Sequence, residues 1–157
     1  MPFTAFSIRL SPAIRHQILA RSTVPVTSSF MRYYATKLYT KQHEWVKIED
    51  GVATIGITDY GKKSLGDIGF IQISETGAYL KGERLAVMIS GKRESEITFP
   101  ISGKKLSVNQ DVHMHPKLLN DDPENKGWLC KIKPFDDRLE EETKSLLSEE
   151  SYKKLIK

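Results

Sequence analysis

Six polar residues, Ser90-Gly91-Lys92-Arg93-Glu94-Ser95, stand between the apolar runs Leu85–Ile89 and Glu96–Ile101. They read as a hairpin tip centred on a lysine. Such a tip is commonly just a solvated turn, because polar residues and glycine suit the backbone of a reversal. The chemistry it offers is covalent attachment. A primary amine on a long flexible stem, held out by a rigid hairpin, can be acylated and then swing its cargo among several sites.

Other reactive residue types are sparse. His113 and His115 flank Met114, but two histidines at this spacing lack a third ligand, so they read as a solvated loop pair with no metal. Cys130 shares an alternating strand face with Trp128 and Ile132, and that face offers no evident basic neighbour to lower its pKa. It reads as a small buried hydrophobe. No nucleophile elbow, phosphate loop or dinucleotide fingerprint is present, and Ser90-Gly91-Lys92-Arg93 lacks the spacing of a phosphate loop. The residues do not describe an enzyme.

The elements that must position Lys92 are mostly strands. Trp45 to Ile57 alternates around Asp50-Gly51, a two-residue hairpin signal. Thr58-Asp59 caps a predicted short helix through Leu65, ended by Gly66. Further strands are predicted over Asp67–Ile73, Leu85–Ile89, Glu96–Ile101, Lys104–Val108 and Gly127–Lys133, with a turn at Pro100-Ile101-Ser102-Gly103. Helical spacing dominates only afterwards, through Leu139, Leu146, Leu147, Tyr152 and Leu155. The order predicts a mainly β barrel or sandwich with short flanking helices and a C-terminal helical segment.

Composition bounds the alternatives. The chain has 157 residues, 39% hydrophobic and 28% charged, which is the composition of one globular domain. The longest unbroken apolar run is Leu85–Ile89, far short of the ~20 residues a membrane helix needs. The formal charge of +4 is accounted for by Arg9, Arg15, Arg21 and Arg32, in a segment without lysine, Asp or Glu; the first acidic residue is Glu44. The remainder is balanced and gives no nucleic-acid footprint. An Arg-rich, Ser/Thr-rich, acid-free N-terminus is the composition of an organellar presequence, and Arg32-Tyr33-Tyr34-Ala35 resembles a processing site. The expectation is a mitochondrial transit peptide over residues 1–34, a mature domain over 35–157, and residence in the matrix.

Ordered motifs then point to one family. Leu38-Tyr39-Thr40, His43-Glu44-Trp45-Val46, Gly56-Ile57-Thr58-Asp59-Tyr60 and Leu65-Gly66-Asp67-Ile68 appear in sequence order. Pro100-Ile101-Ser102-Gly103, Asn109, Pro116, Leu118, Asn120, Asp122-Pro123 and Gly127-Trp128 follow. Over residues 38–156 the chain resembles the H proteins of the glycine cleavage system. The resemblance implies a lipoyl carrier with a barrel-sandwich hybrid fold, and lipoate amide-linked to a lysine eight residues before the turn proline. Counted back from Pro100, that lysine is Lys92, and Ser90, Ser95 and Glu96 also coincide with the family pattern. Ile89 stands where the family has glutamate, Gly91 where it has a small or β-branched residue, and Arg93-Glu94 where it has two small residues. These departures lie in the segment that a lipoylating enzyme reads.

The implied role is to shuttle an aminomethyl intermediate and reducing equivalents. The partners are a pyridoxal-phosphate glycine decarboxylase, a tetrahydrofolate-dependent aminomethyltransferase and a flavin- and NAD-dependent dihydrolipoamide dehydrogenase. The carrier itself catalyses no step. Glu44 and Glu96 match acidic positions that hold the ammonium of the loaded arm, through charge-assisted hydrogen bonds. They are equally readable as ordinary surface carboxylates. Two other readings are an H-like scaffold that relays lipoate to 2-oxoacid dehydrogenase subunits, with Lys92 as relay point, and a non-lipoylated binding partner.

Overall fold

A computed structural model describes residues 37–157. The expected presequence and the expected cut before Ala35 lie outside these residues. The chain order is β1 (Lys37–Tyr39), β2 (Glu44–Glu49), β3 (Val52–Ile57), α1 (Asp59–Leu65), β4 (Phe70–Ile73), β5 (Ala78–Tyr79), β6 (Arg84–Ser90), β7 (Arg93–Thr98) and β8 (Gly103–Val108). There follow α2 (Gln110–Met114), α3 (Lys117–Asp121), β9 (Cys130–Pro134), α4 (Asp136–Lys144) and α5 (Glu149–Leu155).

The strands form two antiparallel sheets, a larger one in the order β1-β2-β3-β9-β8-β5 and a three-stranded one in the order β4-β6-β7. The architecture is mainly β, as the alternating pattern predicts. Ile48, Ile55 and Ile132 from the first sheet share one core with Ile71, Leu85, Met88 and Ile97 from the second. Each such side chain contributes about 1.5–3 kcal/mol by leaving water, so the two inner faces hold the sheets together.

Local chemistry explains the turns. The β2–β3 hairpin closes through Asp50 at φ 50° and Gly51 at φ 75°, both in the left-handed region. Two consecutive positive φ values mark the turn whose twist matches the flanking strands. The Thr58 hydroxyl accepts the Gly61 N–H at 3.0 Å and starts α1, and Gly66 ends it. At Gly56 the reason for glycine is a close approach: a Cβ there would lie 2.6 Å from the Trp45 ring. The freed ring position lets the Trp45 indole N–H reach the Ile57 carbonyl at 2.8 Å.

Several expected boundaries move. The strand expected from Asp67 starts at Phe70, because the Ile68 backbone is instead bound on both sides by the Asn120 amide, at 2.9 Å each way. The last strand starts at Cys130 and runs to Pro134. The helical C-terminus is two helices, and α5 folds back so that Tyr152 stacks on Tyr39 of β1, with ring centroids 4.6 Å apart.

Candidate functional site: the β6–β7 hairpin

The register of β6 on β7 pairs Ser90 with Arg93, Ile89 with Glu94, Met88 with Ser95 and Val87 with Glu96. The turn between them is therefore two residues long, Gly91 and Lys92, and not the six-residue tip that polarity suggests. Arg93, Glu94 and Ser95 belong to β7, where only Ile97 is buried. With one apolar inward residue the strand's alternation is invisible in the sequence.

Gly91 has φ +60°, whereas Lys92 does not enter the left-handed region. Positive φ at the first central position alone is the signature of a type II′ turn, which takes glycine there. Glycine at position 91 meets that backbone requirement with no Cβ to strain it. Lys92 is exposed, and no described residue lies within hydrogen-bond or ion-pair distance of its Nζ.

The base of the hairpin is fixed. Leu85, Met88 and Ile97 point into the core at 0%, 1% and 6% exposure. The Gly69 N–H donates to the Ile89 carbonyl at 2.9 Å. A Cβ on Gly66 would meet the Ser90 hydroxyl at 3.0 Å, so the loop after α1 lies directly against the turn. The arrangement is a rigid stalk with an unrestrained amine at its end.

A two-residue turn makes Ser90–Arg93 the closing hydrogen-bonded pair, and pairing alternates from there. Arg93, Ser95 and Ile97 bond to β6, while Glu94, Glu96 and Thr98 turn their backbone groups to the open edge of the small sheet. The two acidic residues sit along that edge very differently. The exposed Glu96 is ion-paired with Arg84, Oε1 to Nη2, at 2.5 Å. Glu44 is 2% exposed, and its carboxylate accepts the Thr40 hydroxyl and, at 3.4 Å, both the N–H and hydroxyl of Thr98. Thr98 is the far end of β7, roughly 16 Å along the strand from Arg93 at ~3.3 Å per residue. Lys92, Glu96 and Glu44 therefore occupy the tip, the middle and the far end of one strand edge. Thr98 as a support of this edge leaves no signal in the sequence, since its partner Glu44 lies 54 residues away.

The remaining reactive residues are elsewhere. Cys130 is fully buried, and burial pushes its thiol up to about 12, with the Lys105 charge opposing; it holds its proton at neutral pH. Lys105 is itself 3% exposed and depressed in pKa by burial; its ammonium donates to the Ser74 carbonyl at 2.7 Å. His113 lies in the last turn of α2 and His115 caps its end, both exposed. Among the described residues no group of three or more His, Cys, Asp or Glu is arranged to hold a metal. No described helix is long and apolar enough to cross a membrane.

Comparison with known proteins gives a consistent result. The family model described as glycine cleavage H-protein matches residues 37–157. A protein of Schizosaccharomyces pombe named as a mitochondrial glycine cleavage system H protein is 34% identical over 158 residues, covering 98% of this chain and 92% of its own. A glycine cleavage system H protein of Thermotoga maritima is 44% identical over 117 residues, covering 74% of this chain and 92% of its own. The crystal structure of the corresponding Mycobacterium marinum protein superposes with a TM-score of 0.67 at 30% identity, over 75% of this chain and 94% of that one.

Proposed function

Because the chain belongs to the glycine cleavage H-protein family, a family of lipoyl carriers in that system, we propose that Lys92 is the residue that bears the lipoyl group. The observation that carries this assignment is the two-residue turn, which holds Lys92 at the end of a fixed stalk with no partner on its amine. An amide at Nζ requires a free primary amine and removes its charge. Here no ion pair is lost when that happens. A bound lipoyl group supplies a disulfide that accepts a transferred group and electrons together.

The chain's own residues supply position. The core anchors of β6 and β7 keep the turn in place while the lysyl methylenes rotate. Glu96 stands beside the arm on the edge that leads toward Glu44. A cationic group on the arm meets Glu94 and then the Arg84-paired Glu96, and contact with Glu44 requires exchange with the Thr40 and Thr98 hydrogen bonds.

Within the same proposal, the chain exchanges cargo with the decarboxylase, aminomethyltransferase and dihydrolipoamide dehydrogenase components and receives lipoate from a lipoylating enzyme. It catalyses no step itself. The balanced charge of the domain and its single exposed amine at the tip suit a carrier handed between enzymes. A mature domain from Ala35 acting in the mitochondrial matrix accords with the acid-free, Arg-containing N-terminus and with the fungal relative's name.

The test is intact-mass and tryptic mass spectrometry of the protein purified from its own cells. One lipoyl amide, located on Lys92, is expected. An unmodified Lys92 in cells whose other lipoyl proteins are loaded overturns the assignment and leaves the binding-only reading in its place.

A further inference from the structure

The outer face of the small sheet is sorted by charge into two columns. Phe70 of β4 lies opposite Ile89 of β6, and Ile89 lies opposite Glu94 of β7. The next rung reads Gln72, Val87 and Glu96. Phe70 is 50% exposed and Ile89 36%, and the two form an aromatic–aliphatic pair one rung below the Lys92 turn. Toward β7 the same rungs end in carboxylates, with Arg84 on Glu96 and no ion pair on Glu94.

Single exposed apolar side chains are ordinary on protein surfaces. This pair differs in what is tethered next to it. A lysyl-lipoyl arm of roughly ten bonds of ~1.5 Å reaches well past a rung that lies roughly 7 Å from the turn at ~3.3 Å per residue. A tethered group samples its own surface at an effective concentration in the millimolar range, so even a weak apolar contact is populated.

Building on the lipoyl assignment above, we propose that the Phe70–Ile89 rung, continued by Val87, is a resting site for the uncharged lipoyl group of Lys92. The acidic column of Glu94 and Glu96 disfavours that apolar group and attracts it only once it carries a cationic amine. The arm's charge state then selects between two neighbouring tracks on one hairpin. Ile89 is central to this, because a carboxylate at that position would extend the acidic column across the face.

The full-length mature protein, prepared with Lys92 unmodified and with Lys92 lipoylated, is compared by amide nuclear magnetic resonance. Lipoylation is expected to shift the amides of Phe70, Ile89 and their rung neighbours. In the doubly substituted Phe70→Ser, Ile89→Glu protein those shifts disappear. There a water-soluble phosphine is expected to reduce the dithiolane about threefold faster or more, since apolar contact no longer shields it. Both side chains are surface-exposed, and the unmutated pair of samples gives an answer independent of the variant's stability. Shifts confined to the Glu44 end of β7, or no shifts beyond Gly91 and Arg93, overturn the resting site while leaving the lipoyl assignment intact. Failure of Lys92 to accept lipoate overturns both.

Discussion

The Glu44 carboxylate closes the open edge of β7: its Oε1 lies 3.4 Å from both the amide nitrogen and the hydroxyl of Thr98. An edge strand otherwise leaves such an N–H without a partner. Glu44 at the first position of β2 and Thr98 at the last of β7 thereby tie the larger sheet to the hairpin that carries Lys92.

Truncating this carboxylate should therefore cost stability as well as any function. Glu44→Ala leaves the Thr98 N–H and the Thr40 hydroxyl without their buried acceptor, a loss of about 1–3 kcal/mol. Glu44→Gln, which keeps one acceptor oxygen, should lose less. Urea denaturation of the three proteins measures the difference. Wild-type stability in Glu44→Ala would mean that the carboxylate has no structural role.

Lys92→Arg separates chemistry from folding. Arginine keeps the charge and a long stem at an exposed turn, so stability should change by less than about 0.5 kcal/mol. Its guanidinium is not an acylable amine, so the mass increment of the lipoyl amide should vanish and glycine cleavage with it. Activity retained by this variant would move the attachment site elsewhere.

Gly91→Val tests the turn. Space around a Cβ at Gly91 is open, with nothing within 4 Å, so the cost is backbone strain at φ +60°. The expected loss is about 1–2 kcal/mol, smaller for Gly91→Asn, whose side chain tolerates the left-handed region. Denaturation midpoints of the two variants give the ranking. Equal stability of all three proteins would show that the turn does not need positive φ.

Alkaline pH should weaken the fold. Cys130 is raised by burial from an ordinary 9.0 to about 12, so between these values the unfolded chain has lost a proton that the folded chain keeps. The stabilising contribution is complete below pH 9 and falls as pH rises toward 12, at up to about 1.4 kcal/mol per pH unit. Tyr39, raised by burial from 10.0 to about 12, acts in the same direction. Lys105, depressed from 10.5 by burial, acts oppositely, adding stability as pH climbs toward 10.5. Above 10.5 only the loss remains. Denaturant titrations at pH 8 and pH 11 should show a smaller drop for Cys130→Ala than for wild type.

Features that depend on local chemistry are legible in the residues alone. Asp50-Gly51 could only be a tight reversal, Thr58 a cap and Gly66 a stop, because these residues act on backbone within a few positions of themselves. The alternation of Trp45 to Ile57 specified strands because each has a buried face to fill. The lysine of the tip was legible for the same reason, being a lone amine between two apolar runs, and ordered motifs carried it to a family. Whatever couples distant residues emerges only once the chain is folded. β7 runs over Arg93–Thr98, three residues earlier than the Glu96–Ile101 that apolarity suggests, because its inward positions 93 and 95 are polar and only pairing with β6 makes them strand. Ile68 is excluded from β4 by an asparagine 52 residues away. Glu44, legible as an acidic residue beside a tryptophan, could not be placed at 2% exposure against Thr98 until the two sheets met. Periodicity encodes which face of an element is buried, but it carries no record of the neighbour that covers it or of the edge left open.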